Sequence, residues 1–111
     1  GKMLVKDLAD KLDLKLISGE KGLKNNVEGA YCCDLLSWVM SHGSKNDAWI
    51  TVQVHPNIVA VASLLEMSCI IIPESIEVEP VTIDKSNQES IPILQSKDNA
   101  YLICSKLSSL I

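Results

Sequence analysis

The chain contains no arginine: all ten of its basic residues are lysine, and its formal net charge is −4. Nucleic-acid-binding proteins concentrate basic residues on one face, and arginine makes the bidentate contacts to phosphate and guanine that many of them use. Enzymes of phosphoryl transfer often need a guanidinium group to stabilise transition-state charge. The composition therefore argues against a nucleic-acid partner and against phosphoryl transfer.

The motifs of common catalytic sites are also missing. The sequence has no G-x-x-x-x-G-K-[ST] phosphate loop, no G-x-G-x-x-G dinucleotide motif and no G-x-S-x-G nucleophile elbow. Its two histidines, His42 and His55, do not lie at metal-binding spacing with a carboxylate. A dyad of Cys33 and His55 is conceivable, but no sequence pattern supports it. We expect no catalytic residue, no cofactor and no metal; a cysteine- or metal-dependent enzyme is the remote alternative.

Long apolar runs are absent as well. No run reaches the roughly 18 residues of a membrane span, and the first predicted helix is too charged for a signal peptide, so we expect a cytoplasmic protein. Among the four cysteines, Cys32 and Cys33 are adjacent, whereas structural zinc takes pairs two to four residues apart. We expect all four, with Cys69 and Cys104, to be reduced and to act as small hydrophobic residues.

The chain is rich in apolar residues. Of its 111 residues 47% are hydrophobic, and its mean hydropathy is +0.19. We expect one domain, residues 1–111, with its own core. A small chain has a large surface relative to its volume, and apolar residues that the core cannot hold tend to be buried against a partner. We therefore expect a homo-oligomer, most simply a homodimer.

A β-α-β unit is predicted between residues 49 and 72. Alternation predicts a strand over residues 49–54. Pro56 fits the first turn of a helix predicted over residues 57–67, because proline lacks the amide that would be unpaired there. Residues 69–72 are apolar without alternation, which predicts a central strand buried on both faces. The fold class is therefore α/β, with a small, mostly parallel sheet flanked by helices.

Hydrophobic periodicity predicts further elements on both sides of this unit. They are helices over residues 5–12, 35–42 and 99–108, and strands over residues 14–17, 27–32 and 91–94. Asp34 and Asp98 are predicted N-caps and Gly43 a C-cap. Pro92 indicates an edge strand or the start of a strand. Residues 74–89 fit a helix, a strand or a loop.

Polar residues around two strand–helix junctions form the candidate ligand site. In open α/β sheets, ligands bind beyond the carboxyl ends of the strands, where helices begin, and the free amides of a helix start attract anions. One junction lies at Cys33 and Asp34, and the other follows Val54. If their strands are neighbours, both helix starts face one crevice. The candidate residues are Gly29, Tyr31, Asp34, Ser37, Thr51, Gln53, His55 and Asn57.

Several of these residues have a purely structural alternative. Asp34 is more readily explained as a helix cap than as a catalytic group, and its carboxylate would compete with an anionic ligand. His55 fits a capping residue as well as a ligand contact, and Asn57 could satisfy backbone groups in the first helical turn. Thr51 and Gln53 could bond to neighbouring strands or to another subunit.

Three blocks of the sequence, residues 5–10, 29–40 and 49–62, resemble the DRTGG domain, in particular its stand-alone bacterial members, sometimes labelled HPr-kinase-like. Residues 34–40 and 51–62 are the most specific parts, and the resemblance covers nearly the whole chain. It implies an α/β fold like the N-terminal domains of Mur ligases and HPr kinase. DRTGG domains occur fused to CBS pairs, phosphotransacetylases and other enzymes. The resemblance thus implies a regulatory or ligand-sensing role and self-association rather than catalysis.

The chain departs from the motif that names this family. Where typical members carry Asp-Arg it has Val54-His55, and where they carry Thr-Gly-Gly it has Pro73-Glu74-Ser75. The glycines that would let the backbone approach a ligand are missing. The kinase label belongs to a separate P-loop domain, which this chain lacks. We predict a non-catalytic regulatory domain that binds a small metabolite, with anionic and nucleotide-like molecules included; the alternative is a protein–protein interaction adaptor.

Overall fold

A computed structural model describes residues 3–111 of the chain. Strands and helices follow one another along the chain in a regular alternation after residue 28. The elements are β1 (Met3–Leu4), α1 (Val5–Lys11), β2 (Lys15–Ser18), β3 (Asn26–Val27), β4 (Gly29–Cys32), α2 (Leu36–His42), β5 (Asp47–Ile50), α3 (Asn57–Leu65), β6 (Cys69–Ile72), α4 (Pro80–Glu89), β7 (Ile93–Gln95) and α5 (Ala100–Ser108).

Five of the strands form one sheet in the order β2-β7-β6-β5-β4. The strands β4, β5, β6 and β7 are parallel to one another, and β2 runs antiparallel to β7. Strands β1 and β3 pair separately as a short antiparallel ribbon. The predicted α/β class with a mostly parallel sheet is confirmed. One consequence is that the carboxyl ends of four strands lie at the same edge of the sheet.

The central strand β6 is buried on both faces, as predicted, because a layer of helices covers each side of the sheet. Its residues alternate between two apolar clusters, with Cys69 and Ile71 in one and Ile70 and Ile72 in the other. Helices α1 and α5 supply the first cluster, and α2 and α3 supply the second. Burying each Ile side chain contributes about 1.5–3 kcal/mol to the stability of the folded state. This strand is therefore the centre of the core.

The predicted strand at residues 49–54 is shorter than its alternation indicates. Strand β5 ends at Ile50, and all four of its residues are buried. Thr51 still donates its amide to the Ile71 carbonyl at 3.2 Å, but the chain then leaves the sheet and Val52 is exposed. The alternation beyond Ile50 reflects side-chain hydrogen bonds in a loop rather than the two faces of a strand.

Of the two alternatives for Pro92, the structure has the start of a strand, whereas the predicted cap of α5 is wrong. Strand β7 lies between β2 and β6, so it is not at an edge; Pro92 stands just before it and accepts a hydrogen bond from the Ile70 amide at 2.8 Å. Asp98 does not cap α5. Asn99 does, since its side chain accepts a hydrogen bond from the Leu102 amide at 2.9 Å.

Helix α4 occupies the segment for which the sequence favoured no single element. Its buried residues are Thr82 and Ser86, both hydroxyl-bearing, so its apolar periodicity is weak. Thr82 Oγ1 donates to the Val54 carbonyl at 2.6 Å, and Ser86 Oγ lies 2.8 Å from Ser18 Oγ. Hydrogen bonds rather than apolar side chains therefore fix the inner face of this helix.

The turn after β6 has two residues in succession in the left-handed region, Glu74 at φ 57° and Ser75 at φ 53°. This backbone conformation costs a non-glycine residue about 1–2 kcal/mol. We expect Glu74→Gly and Ser75→Gly each to raise the free energy of unfolding by up to about 1 kcal/mol, since glycine's greater freedom in the unfolded chain offsets part of the gain. Urea denaturation measures this change.

The matched control is Glu77→Gly, at an exposed loop position without positive φ. Glycine there adds freedom to the unfolded chain without relieving strain, so stability should fall. If the Glu74 and Ser75 variants are destabilised to the same extent as the control, the turn is not strained.

Candidate functional site

The parallel strands bring four chain segments together at one edge of the sheet. Strands β4, β5, β6 and β7 end there at Cys32, Ile50, Ile72 and Gln95. The segments that follow are residues 33–35, 51–56, 73–79 and 96–99. This is the edge at which open α/β sheets bind their ligands, and it includes both junctions that the sequence analysis singled out.

Asp34 joins the two junctions. Its Oδ1 accepts hydrogen bonds from Thr51 Oγ1 at 2.8 Å and from the Val52 amide at 2.9 Å. Gln53 Nε2 donates to the Asp34 carbonyl at 3.1 Å, and the Gln53 amide donates to Thr51 Oγ1 at 3.2 Å. Thr51 is buried, whereas Asp34 is exposed. The carboxylate therefore fastens the start of the loop after β4 to the loop after β5.

The prediction that Asp34 caps α2 is wrong. Helix α2 begins at Leu36, and its N-cap is Leu35, whose extended backbone separates Asp34 from the first turn. The carboxylate serves the neighbouring junction instead. At the other end of α2, Gly43 is the C-cap, as predicted, and its amide donates to the Val39 carbonyl at 2.7 Å.

Trp49 and Cys33 also hold the segment after β4 against β5 by hydrogen bonds. The sequence analysis did not predict these bonds. The Trp49 indole Nε1 donates to the Cys33 carbonyl at 2.9 Å, and the Cys33 amide donates to the Ile50 carbonyl at 3.2 Å. Trp49 is fully buried in β5. A buried indole N–H needs an acceptor, which is the one signal that could have pointed to such a bond.

His55 and Asn57 form the start of α3. His55 Nδ1 accepts a hydrogen bond from the Asn57 amide at 3.1 Å, so the imidazole closes the first turn, as its capping alternative requires. Both side chains are exposed. Asn57 also lines a cavity of about 260 Å³ between α3 and α4, together with Lys85 and Glu89.

Three of the eight candidate residues make no side-chain hydrogen bond to this cluster. Gly29 pairs with Asp47 at the amino ends of β4 and β5, away from the carboxyl edge. A Cβ at Gly29 would lie 2.8 Å from Asp47 Oδ1, so this glycine makes room for Asp47. Tyr31 lies beside Trp49 within the sheet and packs against the core, and Ser37 is exposed on α2. Grouping Gly29 with the site is therefore wrong, because the strand direction places it at the opposite end.

The segments after β6 and β7 belong to the same edge and were not predicted. The Glu74 amide donates to the Asp98 carbonyl at 2.9 Å, and the Ser75 amide donates to the Ser96 carbonyl at 2.8 Å. Glu74 and Ser75 stand where the resemblance aligns the family's two glycines, and they keep left-handed backbone angles. Treating residues 91–94 as a parallel neighbour of β6, rather than an edge strand, would have placed these segments at the site.

The cysteines differ in their environments. Cys69 is fully buried in β6, and burial raises its pKa to about 12. Cys32 is exposed; partial burial, and then the neighbouring Cys104 thiol, raise its pKa to about 11. Within residues 3–111, no three histidine, cysteine or acidic side chains are close enough to hold a metal ion. Over the same residues, no helix has the length and apolar character needed to cross a membrane.

The Asp34 network yields a stability prediction. We expect Asp34→Ala to lower the free energy of unfolding by about 1–3 kcal/mol, because the buried Thr51 hydroxyl and the Val52 amide lose their acceptor. Denaturation in urea gives the value. Asp84→Ala, which removes an exposed carboxylate on α4, is the control and should change stability by no more than about 0.5 kcal/mol. Equal effects of the two substitutions would contradict the role assigned to Asp34.

Comparison with known proteins identifies the fold. A solved structure of the CBS and DRTGG domains of the regulatory region of Clostridium perfringens pyrophosphatase, complexed with its activator diadenosine tetraphosphate, matches the chain with a TM-score of 0.73 and 14% sequence identity. The match covers 90% of this chain and 44% of that one. It confirms the α/β class and the predicted resemblance to a DRTGG-like fold. No protein-family model matches the sequence, and no curated protein does.

Proposed function

We propose that this chain is a non-catalytic regulatory domain that senses a small metabolite at the carboxyl edge of its parallel strands. The observation that carries the proposal is the meeting of the two strand–helix junctions through Asp34, Thr51 and Gln53. His55 and Asn57 lie at the start of the next helix, two and four residues after Gln53, the last residue of this network. Five of the eight candidate residues therefore lie in this network or within four residues of it along the chain. They are Asp34, Thr51, Gln53, His55 and Asn57.

The chemistry of this region favours a ligand recognised by hydrogen bonds. Gln53, His55 and Asn57 present amide and imidazole groups, which can donate to or accept from a ligand. The carboxylate at Asp34 repels a dense negative charge, and the chain has no arginine to pair with phosphate. We infer that the ligand presents donors and acceptors, as a nucleoside or nucleotide base does, and that any phosphate it carries lies away from Asp34.

The solved relative supports nucleotides as the first compounds to test. Its regulatory region binds diadenosine tetraphosphate as an activator. That property belongs to the pyrophosphatase; the present chain shares the fold and 14% of its residues. The turn at Glu74 and Ser75, directly after β6, has a left-handed backbone without glycine and lies at the same edge of the sheet.

We also propose that the domain is a cytoplasmic homodimer that associates through α2. Leu35, Trp38 and Met40 lie on or beside this helix with 62%, 51% and 47% of their surface exposed, an unusual concentration of apolar area for one short segment. Only Val39 of the helix is buried. The same surface is the basis of the second candidate function, an interaction adaptor whose partner is a different protein.

Thermal denaturation tests the sensing role with nucleotides, acyl phosphates and coenzyme A compounds as ligands. We expect at least one class to raise the Tm by about 10 °C at a concentration near 100 times its Kd. Gln53→Ala and His55→Ala should abolish the shift, because they remove hydrogen-bonding groups from the proposed region. His42→Ala, which changes the other histidine at the far end of α2, is the control and should keep it.

The outcomes separate the two functions. A shift that survives in both the Gln53 and His55 variants places the ligand elsewhere on the domain. No shift from any compound class contradicts metabolite sensing and leaves the adaptor as the remaining candidate.

Sedimentation at micromolar concentration tests the dimer. We expect a species of twice the 12.1 kDa chain mass, and we expect Trp38→Ala to convert it to monomer because the substitution removes the largest apolar side chain of the α2 surface. Tyr101→Ala alters an exposed aromatic residue on α5 and should leave the dimer intact. A single 12.1 kDa species for the unaltered chain would contradict self-association.

A further inference from the structure

Two cysteines far apart in sequence meet on one face of the sheet. Cys32 is the last residue of the edge strand β4, and Cys104 lies in the middle of α5, the helix that packs on that strand. Both line a cavity of about 330 Å³. Both thiols are free, and Cys104 is the neighbouring group with the largest effect on the pKa of Cys32.

We propose that Cys32 and Cys104 are a redox-responsive pair that forms a reversible intramolecular disulfide when a low-molecular-weight disulfide such as oxidised glutathione is available. The bond would tie β4 to α5. The pair lies on the face of the sheet that α1 and α5 cover, whereas Trp49 and α3 lie on the other face.

Accessibility distinguishes this pair from the other two cysteines. Cys32 is exposed and Cys104 is half-buried. Cys33 is the next residue along the chain, but it packs against the cluster on the opposite face, and its Sγ contacts the Leu35 carbonyl at 3.9 Å. Cys69 is fully buried inside β6. Of the four cysteines, Cys32 and Cys104 line this cavity together, and both are accessible from solvent.

The cavity beside the pair gives a small reagent a place to approach. Its lining is mainly apolar, with Tyr31, Ile50, Leu107 and Ile111 around the two thiols. A volume of about 330 Å³ lies at the lower end of the range for small-molecule sites. The cavity therefore gives a disulfide reagent a path from solvent to the thiols of Cys32 and Cys104.

The exchange balances in two steps. The thiolate of one cysteine attacks a sulfur of oxidised glutathione, the glutathione S–S bond breaks, and one glutathione leaves as a thiolate that takes up a proton. The thiolate of the second cysteine then attacks the protein sulfur of the mixed disulfide and releases the second glutathione. Two protein thiols are oxidised, and one oxidised glutathione is reduced to two glutathione molecules.

Cys32 must act as a thiolate once, whichever cysteine reacts first. Its pKa is raised to about 11 by partial burial and by the neighbouring groups Cys104, Asp34 and Cys33. The reaction is therefore slow at neutral pH and faster in mildly alkaline buffer, since only the thiolate is nucleophilic. This slowness suits a pair that stays reduced under ordinary conditions and closes under sustained oxidation.

The experiment treats the reduced full chain with oxidised glutathione at about pH 8.5, where thiolate is more abundant. We expect the intact mass to fall by about 2 Da, a peptide map to join the segments that contain Cys32 and Cys104, and dithiothreitol to reverse both changes. Closing a loop that spans residues 33–103 should raise the Tm by about 10 °C, because the bond restricts the unfolded chain.

Cysteine-to-serine variants assign the bond. Cys32→Ser and Cys104→Ser should each abolish the mass loss and the Tm shift, whereas Cys33→Ser, the matched neighbour, and Cys69→Ser should retain both. Cys32 and Cys33 lie between the same two lysines, Lys24 and Lys45, so the map of the Cys33 variant identifies the bonded residue.

Three results would overturn the proposal. They are a wild-type product that carries stable glutathione adducts without closing, a disulfide that involves Cys33 or Cys69, and a bond between two chains. The intact mass of the wild-type protein detects adducts and a bond between two chains, its peptide map detects a bond to Cys69, and the map of the Cys33→Ser variant separates Cys32 from Cys33.

Discussion

The parallel pairing of β5, β6 and β7 is the constraint on which the rest of this molecule depends. Strand β6 has no polar side chain apart from a thiol, and it is buried on both faces. A strand of this kind is stable only in the interior of a sheet with helices on both sides. Its position therefore sets the two helical layers, and the parallel direction of its neighbours places four strand ends, and the segments after them, at one edge.

Polar groups at that edge are bonded mainly to one another. The Asp34 carboxylate accepts two hydrogen bonds from the loop after β5, and the carbonyls of Ser96 and Asp98 accept from the turn after β6. These bonds link the segments after β4 and β5 to each other and the turn after β6 to the segment after β7. A preorganised edge suits recognition, since a ligand then does not have to order the loops that contact it.

The same arrangement limits the chemistry that can occur there. Thr51 and Asp34 are engaged with each other, and His55 Nδ1 is occupied by the Asn57 amide. In the proposed sensing role, the side-chain groups of Gln53 and Asn57 are the contacts for a bound molecule.

The sequence by itself determined the fold class, the central strand at residues 69–72, and the presence of Asp34, Thr51, Gln53 and His55 near one edge. Apolar runs and periodicity report burial directly, and burial follows from side-chain chemistry alone. Only the tertiary structure decided the partners of those residues. The structure shows that Asp34 accepts from Thr51, that the Thr82 hydroxyl holds α4 to Val54, that Gly29 pairs with Asp47, and that Cys104 lies near Cys32. Each of these contacts joins positions distant in sequence. Local sequence patterns contain no information about which distant groups will pair.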